Sequence, residues 1–394
     1  MKKICLVVQR YGLEVNGGAE LQCRQFAERL VNKFEVTVLT TKAVDYMTWG
    51  DYYQKDEEDI NGVHIIRFSV KKERDIRRFN EINKKFLDGK IKTEEQEKQW
   101  IEEQGPYVPG LIKYLKENKE YYDAFLFFTY LYYTTVIGIQ FVSQKAILIP
   151  EAHDEPFLKM ESYRQLFYEP KAIFYNTEEE HRLVERKMQG LIAKNDIGGV
   201  GVEIPKQIEA EVFKEKYKLD NYIIYVGRID KGKNCDILFD FFRNYKKRNP
   251  GNLKLVLMGK SVIEVPCHQD IVNLGFVSDQ DKFNGIAGAR LLVLPSEFES
   301  LSMVVLEAFA LKIPVLVNGK CEVLKGHCIK SNGGLFYQGY LEFEGCLNYM
   351  LSHSEECKIM GENGKVYVDE NYRWDIIINR LEQLIDYVAK GEQK

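Results

Sequence analysis

The sequence has 394 residues, of which 45% are hydrophobic, and a formal net charge of −4 at pH 7. A chain of this length is too long for one ordinary core and suits two domains of about 150 to 200 residues each. The net negative charge argues against a nucleic-acid-binding protein. No apolar run approaches the roughly 20 residues that a membrane-spanning helix needs.

Eight cysteines are scattered along the sequence, and none of them forms a CxxC pair. Several lie in apolar runs, as Cys5 does, which is typical of reduced cysteines in a cytosolic protein. Cys321 and Cys328, with His327 beside the second, have a spacing that fits no zinc pattern, so we expect no metal site. The two N-terminal lysines precede only five apolar residues, which is too few for a signal peptide. We therefore expect a cytoplasmic protein without a metal ion or cofactor.

The chain begins with a strand, a glycine-bearing loop and a helix. Lys3–Val8 is a continuous apolar run, which suits the centre of a parallel sheet. The loop Tyr11–Gly18 follows, and Glu20–Leu30 has the pattern of an amphipathic helix. Because glycine lacks a Cβ, Gly17 and Gly18 would let the backbone approach a phosphate or a sugar closely. Taken alone, this pattern favours a tight turn without a ligand.

A polar cluster follows one of the next predicted strands. These strands are Glu35–Thr40, Val63–Phe68, Ala124–Phe128, Ala146–Ile149, Ala172–Tyr175 and Gly198–Val202. Ala146–Ile149 leads into the sequence PEAHDEP, which contains His153 and Asp154. Open α/β sheets bind ligands at the carboxyl ends of their strands, so both side chains are candidates for a site. A lone histidine is nevertheless more often structural than functional.

The segment 71–100 is highly charged and has a helical period. An amphipathic basic helix over residues 71–92 could lie on an anionic membrane surface. Acidic residues dilute its positive charge, however, so a solvated helical face is the favoured interpretation. Peripheral contact with the inner face of a membrane stays open as the alternative.

The second half of the chain begins with a strand, Tyr222–Val226, that ends in a glycine turn with two cations. Arg228 offers a planar fork of donors and Lys233 a point charge, so together they could neutralise a diphosphate from two sides. The alternative is a surface ion pair with Asp230 or Asp236.

A strand, a polar turn and a helix then follow one another directly at 291–310. The turn carries Glu299, and the predicted helix Met303–Ala310 carries Glu307. Backbone N–H groups at a helix start attract a phosphate. A carboxylate buried inside a helix needs a polar partner such as a ribose diol. The alternative is that Glu299 caps the helix and Glu307 pairs with a buried Lys or Arg.

Several short motifs occur in the order found in one enzyme family. They are Gly17–Glu20, His153–Asp154, Gly227–Arg228 with Lys233, the Glu-x7-Glu stretch Glu299–Glu307, and Met360–Gly364 followed by Tyr372–Trp374. Together they resemble the retaining glycosyltransferases of family 4, which have the GT-B architecture. The likeness runs over nearly the whole chain. Several weak motifs in the correct order make one strong signal.

The resemblance implies how the diphosphate of a nucleotide sugar would be held. Family members use an Arg and a Lys at the spacing of Arg228 and Lys233, and the amides of Leu301, Ser302 and Met303 would add to them. Many members have a glycine two or three residues after the first Glu of the motif, where this chain has Ser302. The Ser302 side chain would lie where the backbone of relatives meets the donor sugar. The identity of the donor sugar therefore does not follow from that of relatives.

The resemblance also implies the remaining roles. Glu307 would bind the ribose, while Gly17 and Gly18 would face the donor's phosphates and the acceptor. Glu299 and His153 would contact the transferred sugar and are the catalytic candidates. No residue is assigned as a covalent nucleophile, because the family is expected to use a front-side path assisted by the leaving phosphate, without a metal ion.

The implied fold is GT-B, which consists of two Rossmann-like, doubly wound α/β domains that face an interdomain cleft. Residues 1–202 would form the N-terminal, acceptor-side domain, and residues 203–371 the C-terminal domain that binds the nucleotide sugar. The last helix, residues 372–394, would pack back onto the first domain.

The implied reaction is transfer of a hexose from a UDP- or GDP-linked sugar to a hydroxyl group of a saccharide or lipid-linked acceptor, with retention at the anomeric carbon. Bacterial cell-surface polysaccharide or glycoconjugate synthesis is the commonest setting for such enzymes. Two alternatives stay open: a non-catalytic GT-B partner subunit and a sugar-nucleotide epimerase. The first would be expected to have lost donor ligands, and the second would act without an acceptor.

Overall fold

A computed structural model describes residues 1–15 and 17–390 of the chain. Asn16 of the predicted glycine-bearing loop and residues 391–394 of the predicted last helix lie outside the described residues.

The chain forms two compact units. The first comprises Met1–Gly199 and the stretch that begins at Asp375, and the second comprises Val200–Trp374. In the described part of the chain, no helix combines the length and the apolar character that crossing a membrane requires.

The first unit is built on an eight-stranded sheet. Its strands are β1 (Lys2–Val7), β2 (Phe34–Thr41), β3 (Glu57–Ile60), β4 (Val63–Phe68), β5 (Ala124–Phe128), β6 (Ala146–Ile149), β7 (Ala172–Tyr175) and β8 (Lys194–Ile197). They lie in the order β3-β4-β2-β1-β5-β6-β7-β8. All neighbours are parallel except β3 and β4. The strand order reverses between β1 and β5, and such switch points are where open α/β sheets bind ligands.

Burial explains which strands are apolar. Every residue of β5 and β6 is buried, as expected for central parallel strands that are covered on both faces. The edge strands β3 (EEDI) and β8 (KNDI) are polar and partly exposed, which discourages pairing with another chain. The strand predicted at Gly198–Val202 is wrong, because β8 ends at Ile197. Gly199 has a φ of 69°, and this left-handed conformation does not continue a strand.

The helices of the first unit cover this sheet. They are α1 (Gly18–Leu30), α2 (Ile76–Leu87), α3 (Glu94–Gln104), α4 (Pro109–Asn118), α5 (Tyr133–Gly138), α6 (Glu161–Tyr168) and α7 (Glu178–Met188). The charged segment 71–92 contains α2. The rings of Phe79 and Phe86 pack on Trp100, with centroids 5.7 and 6.1 Å apart. The apolar face of α2 is therefore used inside the unit, while its basic residues point outward.

The second unit is built on a six-stranded parallel sheet. Its strands are β9 (Tyr222–Val226), β10 (Lys254–Met258), β11 (Ile271–Gly275), β12 (Leu292–Leu294), β13 (Val315–Asn318) and β14 (Gly334–Tyr337). They lie in the order β11-β10-β9-β12-β13-β14. This is the doubly wound order of dinucleotide-binding folds, with its switch point between β9 and β12.

The helices of the second unit are α8 (Ala210–Tyr217), α9 (Cys235–Arg248), α10 (Asp279–Ala287), α11 (Met303–Ala310), α12 (Glu322–Ser331), α13 (Tyr340–Ser352) and α14 (Ser354–Asn371). The chain then enters α15 (Trp374–Ala389), most of which belongs to the first unit. Ion pairs tie α15 to that unit, with Lys2 Nζ 2.6 Å from Asp386 Oδ1 and Lys33 Nζ 2.7 Å from Glu382 Oε2.

Candidate functional site

Two loops meet at the switch point of the second unit. The loop 227–234 follows β9, and the loop 295–302 follows β12. Asn234 Nδ2 donates a hydrogen bond to the Pro295 carbonyl oxygen at 3.3 Å. Asn318 Nδ2, at the end of β13, donates to the same oxygen at 2.9 Å. The start of the second loop is therefore anchored to the loop after β9 and to the end of β13, the two strands that flank β12.

Close backbone packing fixes the position of the first of these loops. A Cβ on Gly259 would lie 1.9 Å from the carbonyl oxygen of Gly227, so only glycine allows the loops after β9 and β10 to approach in this way. Tyr225 Oη donates to the Arg228 carbonyl oxygen at 2.7 Å. The backbone of Arg228 is thus fixed at the carboxyl edge of the sheet, while its side chain is half-exposed.

The predicted site residues Arg228, Lys233 and Glu299 lie in one chain of contacts. The Arg228 guanidinium donates to Asp230, whose other oxygen accepts from the Lys233 backbone N–H at 2.8 Å. Lys233 Nζ lies 2.7 Å from Glu299 Oε1. The ion pair between Arg228 and Asp230, which was the alternative to phosphate binding, is therefore present. Lys233 and Glu299, predicted to hold different parts of one ligand, face each other.

The start of α11 is unusual at Ser302. This residue has a φ of 66°, in the left-handed region that costs a residue with a Cβ about 1–2 kcal/mol. Its side chain makes no capping hydrogen bond to the helix. The hydroxyl groups of Ser302 and Ser296 are both buried without a hydrogen-bond partner in the described part of the chain. The orphaned hydroxyl group of Ser302 at a helix start is suited to a polar ligand.

Glu307 lies inside α11 and has a lysine partner from α10. Its Oε1 accepts a hydrogen bond from Lys282 Nζ at 2.8 Å. Burial raises the pKa of the Glu307 carboxyl, and the neighbouring Lys282 charge acts in the opposite direction. Glu307 therefore pairs with a lysine, as the alternative interpretation of this residue predicted. Lys282 itself was not predicted.

In the first unit, His153 lies beyond the end of β6 near another carboxylate. Its Nδ1 is 3.7 Å from Glu155 Oε1, and that oxygen accepts from Tyr130 Oη at 2.5 Å. Asp154 turns toward α7 instead, with its Oδ1 2.7 Å from Lys187 Nζ. His153 rather than Asp154 is thus the polar group available near this sheet edge.

The two glycines of the first loop differ in their surroundings. A Cβ on Gly17 would lie 1.9 Å from Glu20 Oε2, whereas a Cβ on Gly18 would meet nothing within 4 Å. The Glu20 carboxylate is buried and pairs with Arg10, whose Nη2 is 2.6 Å from Oε1. A larger residue at Gly17 would therefore displace the Glu20 carboxylate, whereas Gly18 leaves open space beside the backbone.

Two further carboxyl groups near this edge were not predicted. Glu151 has a φ of 51°, and its Oε1 is buried without a hydrogen-bond partner among the described residues. Burial, together with the charges of Glu20 and Glu180, raises the pKa of the Glu151 carboxyl. Burial also raises the pKa of Glu180 to about 8, although backbone N–H groups of Asn176 and two other residues oppose this. A protonated Glu151 could donate a hydrogen bond at this edge.

Residues 207–367 match the family model described as Glycosyl transferases group 1. These residues form a glycosyl transferases group 1 domain. The matched stretch lies within the second unit and carries Arg228, Lys233, Glu299 and Glu307.

Two curated relatives align with parts of the chain. The N-acetylgalactosamine-N,N'-diacetylbacillosaminyl-diphospho-undecaprenol 4-alpha-N-acetylgalactosaminyltransferase of Campylobacter jejuni is 30% identical over 106 residues, which are 25% of this chain and 27% of that protein. An uncharacterized glycosyltransferase of Methanocaldococcus jannaschii is 29% identical over 171 residues, which are 40% of this chain and 43% of that protein. The chain thus aligns with less than half the length of either relative.

Solved structures match the chain over nearly its whole length. Sucrose-phosphate synthase from Thermosynechococcus elongatus has a TM-score of 0.73 and 15% identity, and the match covers 98% of this chain and 99% of that one. Anabaena HepE, solved with UDP and glucose, has a TM-score of 0.72 and 13% identity, over 98% of this chain and 100% of that one. At these identities the likeness concerns the fold alone. It confirms the GT-B architecture predicted from the sequence.

Cys321 and Cys328 resemble core residues more than metal ligands. Burial raises the pKa of the Cys321 thiol to about 11 and that of Cys328 to about 12, whereas a metal ligand must be a thiolate. Among residues 1–15 and 17–390, no group of three or more His, Cys, Asp or Glu side chains could hold a metal ion.

One residue of the group 1 domain gains a role that the sequence did not indicate. His327 lies in α12 and is fully buried. Its Nε2 is 2.7 Å from the Leu301 carbonyl oxygen, in the loop 295–302, and its Nδ1 is 3.2 Å from Tyr367 Oη. In the sequence His327 stood out only by its place beside Cys328, where the spacing fits no zinc pattern.

Proposed function

We propose that the protein is a glycosyltransferase that moves a sugar from a nucleoside-diphosphate sugar to a hydroxyl group of an acceptor. The observation that carries this proposal is the meeting of two loops at the switch point of the group 1 domain. There the cations Arg228 and Lys233 lie on the loop after β9, and the start of α11 follows the loop after β12. Two cations and a helix N-terminus together suit a diphosphate.

The ion pair between Lys233 and Glu299 suggests how the donor enters. A diphosphate carries more charge than one carboxylate, so Lys233 can turn its ammonium group from Glu299 to the phosphate oxygens. Glu299 is then released to accept hydrogen bonds from hydroxyl groups of the transferred sugar. Glu307 accepts hydrogen bonds from the ribose.

The chemical step is departure of the nucleoside diphosphate. The bond between the anomeric carbon and the phosphate oxygen breaks, and negative charge grows on the diphosphate. Arg228, Lys233 and the amides of Leu301, Ser302 and Met303 stabilise that charge. The acceptor oxygen attacks from the same face, and its proton passes to the leaving phosphate. This front-side path gives retention at the anomeric carbon and uses no metal ion, cofactor or covalent intermediate on the protein.

The first unit supplies the acceptor side in this proposal. His153, held near Glu155 and Tyr130, binds a hydroxyl group of the transferred sugar. Gly17 and Gly18 let the backbone of the first loop approach the donor's phosphates and the acceptor. The open space beside Gly18 supports this role better than the crowded surroundings of Gly17.

For the substrates, UDP-linked sugars are the first choice and GDP-linked sugars the second. HepE binds UDP and glucose, and the Campylobacter relative acts on a diphospho-undecaprenol-linked saccharide. We therefore propose a saccharide or lipid-linked acceptor in cell-surface polysaccharide or glycoconjugate synthesis, with peripheral membrane contact while a lipid-linked acceptor is bound.

Titration calorimetry with UDP, GDP and ADP tests the proposal, followed by NMR of the matching nucleotide sugars without an acceptor. Tight binding of one nucleotide and slow hydrolysis of one of its sugars are expected. Interconversion of the nucleotide sugar would instead identify an epimerase. Absence of binding to all three nucleotides would point to a non-catalytic GT-B partner and remove the site assignments together.

A further inference from the structure

The C-terminal motifs of the second unit have no role in the proposed function. Met360–Gly364 lies in α14, and Tyr372 follows the end of that helix. Both belong to the pattern that resembles the glycosyltransferase family, yet neither lies in the two loops of the candidate site. Their contacts inside the second unit show which other elements they support.

Two glycines of the first motif let α14 pack directly on α11 and the residues after it. A Cβ on Gly361 would lie 2.0 Å from the Lys312 carbonyl oxygen, and a Cβ on Gly364 would lie 2.4 Å from the Phe309 ring. One turn further along α14, Tyr367 packs edge-on against the same Phe309 ring. The loop 295–302 is called the donor loop below, and the helix that follows it, α11, therefore rests on α14.

From α14, a line of buried polar side chains leads to the donor loop. Tyr372 Oη lies 3.3 Å from Tyr367 Oη, and Tyr367 Oη lies 3.2 Å from His327 Nδ1. His327 Nε2 lies 2.7 Å from the Leu301 carbonyl oxygen. We call Tyr372, Tyr367 and His327 the buried relay.

The direction of these hydrogen bonds follows from their last member. A carbonyl oxygen can only accept, so His327 Nε2 carries the proton and donates to Leu301. Nδ1 of the neutral ring is then an acceptor, and the Tyr367 hydroxyl group donates a hydrogen bond to it. Burial lowers the pKa of His327 to about 4, which keeps the ring neutral in ordinary buffers.

The bond to Leu301 also orients the next amide. In a planar trans peptide the C=O and the following N–H point in opposite directions. Because His327 fixes the Leu301 carbonyl, it fixes the Ser302 N–H on the opposite side. Ser302 needs such support, since its left-handed φ of 66° is not favoured by its own side chain.

We propose that the buried relay is a positioning device that holds the Ser302 amide toward the donor's diphosphate. This inference rests on the proposed function, in which the amides of the loop bind that group. In this inference Tyr372 of the C-terminal motif and His327, which had no assigned role, both help to orient the Ser302 amide. None of the three relay side chains needs to touch the substrate.

The test uses the full chain with paired variants. His327→Met removes the donor to Leu301, whereas His327→Gln keeps an N–H donor at a similar reach. Tyr367→Phe removes one relay hydroxyl group. Its matched control is Tyr245→Phe, which also removes a mostly buried hydroxyl group in the second unit, one that bonds Asn348 at 2.8 Å.

Two readouts are compared: hydrogen exchange of residues 296–306 in the ligand-free protein, and affinity for whichever of UDP and GDP the wild type binds. In His327→Met and Tyr367→Phe we expect faster exchange of this segment. We also expect nucleotide affinity to fall by roughly tenfold in His327→Met and by several fold in Tyr367→Phe. His327→Gln and Tyr245→Phe should stay within about twofold of wild type.

The outcomes separate this inference from the proposed function. Unchanged exchange in His327→Met, or faster exchange with unchanged nucleotide affinity, overturns the relay alone. An equal loss of nucleotide affinity in His327→Met and His327→Gln also overturns the relay, because a side-chain N–H donor at residue 327 would then make no difference. A wild-type protein that binds neither nucleotide overturns the proposed function and the relay together.

Discussion

Replacing Lys233 by alanine separates a role in folding from a role in binding. In the ligand-free protein Lys233 Nζ lies 2.7 Å from Glu299 Oε1, with the two side chains 30% and 15% exposed. Ion pairs that remain this accessible to water contribute about 0.2–1 kcal/mol to stability. We therefore expect Lys233→Ala to lower the free energy of unfolding by no more than about 1 kcal/mol.

The expected loss of nucleotide affinity is larger. A hydrogen bond between charged groups contributes about 1.5–3 kcal/mol, which corresponds to roughly 10- to 150-fold in the dissociation constant at 25 °C. Affinity for UDP or GDP should thus fall by at least about tenfold while the protein stays folded.

Titration calorimetry measures the nucleotide affinity, and urea unfolding measures the free energy of unfolding of the same protein. Lys320→Ala is the matched control, because Lys320 Nζ pairs with Glu297 Oε1 of the neighbouring loop at 3.6 Å and is more exposed than Lys233. The control should change neither quantity appreciably. If Lys233→Ala binds nucleotide as tightly as the control does, Lys233 is no phosphate ligand and the ion pair with Glu299 is its whole role.

Three other outcomes are expected. Glu299→Gln should lower turnover of the nucleotide sugar but spare binding of the free nucleotide, measured by NMR and calorimetry; equal loss of both would make Glu299 structural. Ser302→Gly should raise the urea midpoint by the equivalent of about 1 kcal/mol, because glycine relieves the left-handed strain. The depressed pKa of His327, about 4, means that the folded protein resists its protonation. Stability from this group is present above pH ~6.5 and falls as the pH falls toward 4, so His327→Gln should flatten urea midpoints between pH 7 and 5.

Fully or almost fully buried strands are among those that the sequence predicted with the correct bounds. β5 and β9 have the predicted bounds, Ala124–Phe128 and Tyr222–Val226, because a covered parallel strand is an apolar run with polar ends. The edge strand β3 was not predicted, since its residues EEDI are polar and gain their conformation only by pairing with β4. Local pattern therefore identifies the centre of a sheet more readily than its edges.

The candidate site shows the same limit. Arg228 and Glu299 were indicated by their place after apolar strands at a carboxyl edge. Lys282 and His327 lie on other helices and reach the site from 25 and 26 residues away in sequence. The burial of Glu307 required a polar partner, but nothing in the local sequence said which lysine would supply it.

The two lysine–carboxylate pairs of the candidate site have different consequences for a ligand. Lys282 bonds one oxygen of Glu307, and a carboxylate has a second oxygen that accepts. Glu307 can therefore bind ribose hydroxyl groups and keep its lysine, which opposes the pKa-raising effect of burial and avoids an unpaired buried charge. In the proposed function the Lys233 ammonium turns from Glu299 to the diphosphate, so that pair would separate when the donor binds. The Lys282–Glu307 pair, which stays intact, would then hold the nucleoside. The Lys233–Glu299 pair, which separates, would lie next to the bond between the anomeric carbon and the phosphate oxygen.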